Sequence, residues 1–331
     1  MRLASKESLK ILIKFLIAGV IIYWLISSGK LDFSLVKKAL AENRWPFTLL
    51  LLLAQIPLAA YRWKLLIQLN TKAPVSFSKV YGLTWIGLFF NSFLPGAVTG
   101  DFVKVYYAKK IDASLTKTYL LLTAFMDRFL GLIGLLILMG FFSAIQFTDL
   151  TERSIQLRSL VQFNLLLFLG ACGILLTIFL KKKWQLMIIG LVKKIPVLGE
   201  KLATAFEQLW MLGSKPKVVF LSVLISIIGQ TLHILAFWNL TSSFYGVDLH
   251  LTQALTFIPL GMIAVAIPIT PAGIGVGHAA FDTLFSFYGI KGGASLFNLH
   301  FLAVVIINSL GFIPFMFSGK RPNFDEMEEE K

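Results

Sequence analysis

Cysteine is nearly absent from this 331-residue chain. The single Cys172 lies inside an apolar run, which excludes an intrachain disulfide and a cysteine-based zinc site. Charge is scarce too, at 15% of residues, where soluble domains carry about 25%. Acidic residues are the rarer sign, 17 against 31 Lys and Arg. The chain has no Walker A loop, no H-E-x-x-H helix and no nucleophile elbow, so no soluble-type catalysis and no cofactor is expected. Gly275-Val276-Gly277-His278-Ala279-Ala280 matches a loose dinucleotide pattern, but no strand–helix unit or downstream ribose-binding acid accompanies it.

What is present is apolar. Hydrophobic residues make up 57% of the chain and the mean hydropathy is +0.79. A soluble protein of this size has too little interior to hide that surface. The composition therefore predicts an all-α, polytopic integral membrane protein forming one transmembrane domain over residues 1–331. In this setting the net charge of +14 reads as cytoplasmic loops obeying the positive-inside rule, not as a nucleic-acid footprint.

A helix needs about 20 apolar residues to cross a hydrocarbon core of ~30 Å. Six stretches meet this, near 9–28, 45–69, 118–142, 158–180, 217–243 and 296–318. Two more, 80–111 and 252–288, are interrupted by Pro- and Gly-rich breaks. The first break runs Leu94-Pro95-Gly96-Ala97-Val98-Thr99-Gly100-Asp101, and the second lies within Pro268 to His278. Proline removes a donor and glycine releases the helical geometry. Non-helical backbone at membrane depth survives only inside protein or beside water, so both breaks mark an internal site.

Loop charge favours re-entrant hairpins at both breaks. With the N-terminus inside, 20 basic residues fall in cytoplasmic loops and 7 outside, against 17 and 10 if both segments cross. Both termini are then cytoplasmic, as expected for the inner membrane of a bacterial-type cell. Residues 45–142 and 217–318 each read helix, broken hairpin, helix, and together form an inverted pseudo-repeat. Between them, 181–216 reads as a cytoplasmic interfacial stretch, with Leu202, Phe206, Leu209 and Trp210 on one helical face. The acidic tail near 322–331 reads as disordered.

Charges inside apolar spans are costly and mark candidate sites. Arg62 either snorkels to the interface or holds an anionic headgroup. Asp127 and Arg128 sit mid-span, and neighbours on a helix diverge by about 100°, so each needs a partner elsewhere. Arg128 suits a phosphate because its planar fork reaches two oxygens; the alternative is a buried structural ion pair. Asp101 either caps the second half of the first hairpin or orients Lys104 or Arg128, and Asn91 can satisfy backbone freed by the break. Gly273, Gly275 and Gly277 put amides at the start of a half-helix, a setting that favours an anion. His278 and Asp282, four apart, are either a protonatable pair lining the site or parts of a hydrogen-bonded helix start.

These marks resemble the lysylphosphatidylglycerol synthase transmembrane-region family, flippase-like membrane proteins. Its features appear as Arg62-Trp63, as Asn91 through Pro95-Gly96 to Gly100-Asp101, as Asp127-Arg128, and as Pro271-Ala272-Gly273-Ile274-Gly275. Asp127 replaces the family's usual Glu, Ala272 replaces a glycine, and His278 stands where Glu is frequent. The aminoacyl-transferase domain of the bifunctional synthases is not within this sequence. The resemblance implies translocation or handling of an anionic lipid or a polyprenyl-phosphate-linked glycolipid. The substrate-binding set expected is Arg62, Asn91, Pro95, Gly96, Gly100, Asp101, Asp127, Arg128, Gly273, Gly275, His278 and Asp282. Expected partners are a membrane phospholipid or lipid-linked sugar, and a second copy or a partner membrane enzyme. The alternative functions are a membrane-embedded transferase using Asp101, Asp127 or His278 as base, and an accessory protein acting through the 181–217 loop.

Overall fold

The computed structural model describes residues 44–71, 73–93, 99–109, 111, 115–196, 199–244, 249–266 and 275–318. The first expected span, the acidic tail and the centres of both breaks lie outside them. The described chain is helical throughout. Its elements are α1 (Trp45–Gln68), α2 (Phe77–Phe93), α3 (Thr99–Ala108), α4 (Lys117–Ile145), α5 (Phe147–Arg153), α6 (Ile155–Thr177), α7 (Lys182–Val192), α8 (Gly199–Gly213), α9 (Pro216–Phe244), α10 (Leu251–Ala266), α11 (Val276–Ser286), α12 (Gly293–Ser309) and α13 (Phe312–Phe317). Five helical stretches among the described residues are long and apolar enough to cross a membrane: α1, α4, α6, α9 through Thr241, and Gly293–Phe317. The protein is a multi-pass membrane protein.

Local chemistry sets the helix starts. Thr116 caps α4 by accepting from the Tyr119 amide at 3.1 Å, and Ser154 caps α6 by accepting from Leu157 at 3.2 Å. Pro46 sits in the first turn of α1, where its missing donor matters least. The expected span 296–318 is two helices, α12 and the short α13, with a turn at Leu310 and Gly311. Gly311 is needed there, since a Cβ would stand 2.1 Å from the Trp85 carbonyl oxygen of α2.

α1 lies at the centre, packed on α9, α2, α4 and α12. It runs antiparallel to α9: Thr48 meets Ala236, Gln55 meets His233 and Arg62 meets Ser226. The larger apolar core lies mainly between α1, α9, α10, α11 and α12, and a second joins α1 to α2, α3 and the start of α4. Outward faces stay apolar, with Leu166 65%, Leu169 64% and Phe220 72% exposed, as lipid-facing surfaces require.

The helices on either side of each break pack on one another, α2 on α3 and α10 on α11. The apolar face of α8 is partly turned into the protein, with Leu202 left exposed. Leu209 and Trp210 are buried, and the Trp210 indole donates to the Thr177 carbonyl at 2.8 Å. α7 buries none of its side chains and exposes Trp184, Leu186, Met187 and Leu191 between lysines at both ends.

Candidate functional site

Two linked charge groups occupy the region between α1, α3, α4 and α9. In the first, the Arg62 Nε lies 2.7 Å from Asp127 Oδ1, and its Nη1 donates to Ser226 Oγ at 2.7 Å. Ser226 in turn donates to the Ser222 carbonyl at 2.7 Å. The Arg62 guanidinium lies against Gly131, where a Cβ would stand 3.3 Å from both terminal nitrogens. One turn on, a Cβ at Gly134 would stand 2.4 Å from that of Ser226, so Gly134 lets α4 and α9 approach. The side chains of Arg62 and Asp127 are only 12% and 9% exposed, so each depends on the other.

In the second group Asp101 bridges two cations. Its Oδ2 accepts from Arg128 Nε, and its Oδ1 lies 3.1 Å from Lys104 Nζ, one turn along α3. Lys104 is buried and its ammonium sits 4.4 Å from the centroid of the Trp63 ring, a cation–π contact at a desolvated site. The Trp63 indole donates to Thr123 Oγ1 at 3.2 Å. Arg62-Trp63 of α1 and Asp127-Arg128 of α4 thus divide between the groups, each neighbour pointing its own way as helical geometry demands.

The backbone that carries Asp101 is held by Asn91, whose Oδ1 accepts from the Gly100 amide at 2.8 Å. Glycine at 100 is obligatory, because a Cβ would stand 1.9 Å from the Gly87 carbonyl oxygen of α2. Arg62, Asn91, Gly100, Asp101, Asp127 and Arg128 of the expected set are therefore brought into one region. Pro95, Gly96 and Gly273 lie outside the described residues.

The other three expected residues form a separate group on α11 and α12. Gly275 has φ 89° and precedes α11, and its amide donates to His278 Nδ1 at 3.2 Å. That leaves the ring proton on Nε2, which points at Asn298 Oδ1, 3.0 Å away. Asp282 Oδ1 accepts from the Ala294 amide at 3.4 Å in the first turn of α12. His278 and Asp282 each serve a helix start, and their hydrogen bonds run to different partners.

Some participants had no warning in the sequence. Ser226 is one serine in an apolar span, a common residue there. Lys104 was foreseen only as a partner of Asp101. A buried chain links Gln55 Oε1 to His233 Nδ1 and His233 Nε2 to His300 Nε2, both at 3.0 Å, across α1, α9 and α12. His300 also stacks on Phe237 with centroids 4.4 Å apart. Among the described residues no group of three or more His, Cys, Asp or Glu could hold a metal ion.

Fold and site together define a multi-pass helical membrane protein with paired charges inside its bundle. The chain belongs to a lipid-handling family: the family model described as "Lysylphosphatidylglycerol synthase TM region" matches residues 11–316. No curated protein and no solved structure matches the chain.

Proposed function

We propose that this protein binds and translocates an anionic lipid, a phospholipid or a polyprenyl-phosphate-linked glycolipid, across the inner membrane. The observation that carries the reading is the partly exposed Arg128 guanidinium, held by Asp101 within an apolar span. Arg62 pairs with Asp127, while Lys104 and Arg128 share Asp101. Burying ions is tolerable when they are paired, and a guanidinium that stays partly exposed within an apolar span is the group an anion can reach. A phosphodiester carries one negative charge, and the guanidinium of Arg128 suits its two oxygens.

Arg128 is the group best placed to meet a lipid. It lies on α4 about 17 Å from the start of the helix, and its side chain is 39% exposed. Leu121, Phe125 and Leu132, on the same stripe, are also exposed. A headgroup arriving along the stripe meets Arg128 while its chains stay in lipid. Asp101 holds the guanidinium in place beforehand, which lowers the ordering cost of binding.

The hairpins are read as re-entrant and the two halves as an inverted repeat. α3 and α11 have 10 and 11 residues, too short to cross a core of ~30 Å. The first helices of the halves, α1 and α9, are antiparallel, as inversion requires. Arg62 spans the halves by bonding Asp127 and Ser226, so rocking one half against the other must remake that contact.

Native mass spectrometry of gently extracted protein tests the binding claim. Anionic phosphodiester lipids are expected to be enriched over zwitterionic ones, and the enrichment to disappear in Arg128→Ala. Equal retention of both lipid classes by the wild type contradicts the reading.

A further inference from the structure

Beside the charge cluster, an apolar groove of about 150 Å³ opens between α4, α6 and α8. Phe125 and Phe129 of α4, Ile174 of α6, and Leu202, Phe206 and Leu209 of α8 line it, with no polar surface among the lining residues. We infer that this groove holds one hydrocarbon chain of the lipid whose phosphate sits at Arg128. The inference rests on the anionic-lipid reading above and extends it from the headgroup to the chain.

Three observations fix the occupant. First, the groove is open to lipid: Phe125, Ile174 and Leu202 on its rim are 51%, 40% and 38% exposed. Second, it adjoins the cationic site. Phe125 and Phe129 flank Arg128 on α4, and Phe125 is one turn from it on the same exposed stripe. A ligand with an anionic head and an apolar tail therefore meets a complementary surface at each end. Third, the size suits a chain. A dry cavity of about this volume lined by Leu, Ile and Phe accepts a benzene-sized group, which is a short run of methylenes and far less than a folded partner or a helix needs.

The groove also gives the 199–213 segment a role. α8 follows the lysine-rich α7, and its Leu202–Phe206–Leu209 face is the groove wall. Leu209 is anchored beside Trp210, whose indole is tied to the end of α6. Trp210 lies against Phe206, with ring centroids 5.6 Å apart, so it reports directly on what fills the groove.

Full-length protein in phosphatidylcholine nanodiscs, doped with phosphatidylglycerol brominated on its chains, gives the test. The Trp210 signal is the fluorescence difference between wild type and Trp210→Phe. Brominated phosphatidylglycerol is expected to quench it at least fivefold more effectively than brominated phosphatidylcholine. Arg128→Ala should remove the preference, and so should filling the groove with Ile174→Phe plus Leu202→Phe. Equal quenching by both lipids means that the groove holds annular lipid only, and overturns the inference. Quenching by neither means that another part of the chain fills it, and overturns it as well. A retained preference in a protein that moves no lipid in vesicles refutes translocation and leaves the groove standing. Lost preference with lipid movement intact refutes the groove alone.

Discussion

Removing Asp127 gives the sharpest quantitative expectation. Asp127→Ala leaves the Arg62 guanidinium, 12% exposed, with Ser226 as its remaining named partner. Breaking a buried pair from one side costs about 3–5 kcal/mol, because the orphaned charge keeps its desolvation penalty. Replacing both members with apolar groups of similar size, Arg62→Met plus Asp127→Leu, removes that penalty and should bring stability within about 1–2 kcal/mol of wild type. Reversible denaturant unfolding in mixed micelles, followed by tryptophan fluorescence, measures all four corners of the cycle. The double variant keeps Arg128, Lys104 and Asp101, and should still retain anionic lipid. A loss below about 1 kcal/mol for Asp127→Ala, or a double variant showing the sum of both single losses, would refute the reasoning about this pair.

Other perturbations follow from the same contacts. Ser226→Ala deletes a charge-assisted hydrogen bond and should cost about 1.5–3 kcal/mol in the same unfolding measurement while leaving the Arg62–Asp127 pair intact. Gly100→Ala places a methyl group against the Gly87 carbonyl oxygen and should force α2 and α3 apart, read as loss of a monodisperse folded species on size-exclusion chromatography. His278→Ala should act as loss of a helix start, about 0.5–2 kcal/mol of stability, with anionic-lipid retention unchanged in native mass spectrometry.

Much of this fold is legible in the sequence because membrane helices are long, apolar and punctuated. The spans near 45–69, 118–142 and 217–243 correspond to α1, α4 and α9 within a few residues. The separation of α2 from α3 was readable from proline and glycine, which cannot continue a helix cheaply. The site was half legible. That Asp127 and Arg128 need separate partners follows from helical geometry alone, but which helix supplies them does not. Arg62 and Asp101 could be nominated as charges in apolar surroundings. Ser226 could not, since its role exists only because Gly131 and Gly134 bring α4 within reach of α1 and α9. His278 and Asp282 were nominated either as a protonatable pair or as parts of a helix start, and each accepts from an amide that opens α11 or α12. The apolar face of α8 was legible from its spacing, and along it Leu209 and Trp210 are buried while Leu202 stays exposed.

The measurement that bears most directly on the central claim is lipid movement in proteoliposomes. A fluorescent phosphatidylglycerol and a matched phosphatidylcholine are placed in one leaflet, and their appearance in the other is followed for wild type, Arg128→Lys and Arg128→Ala. The account predicts movement of the anionic lipid by wild type, partial movement with lysine, and none above protein-free vesicles with alanine at equal protein incorporation. Anionic lipid moved equally well by Arg128→Ala would contradict it.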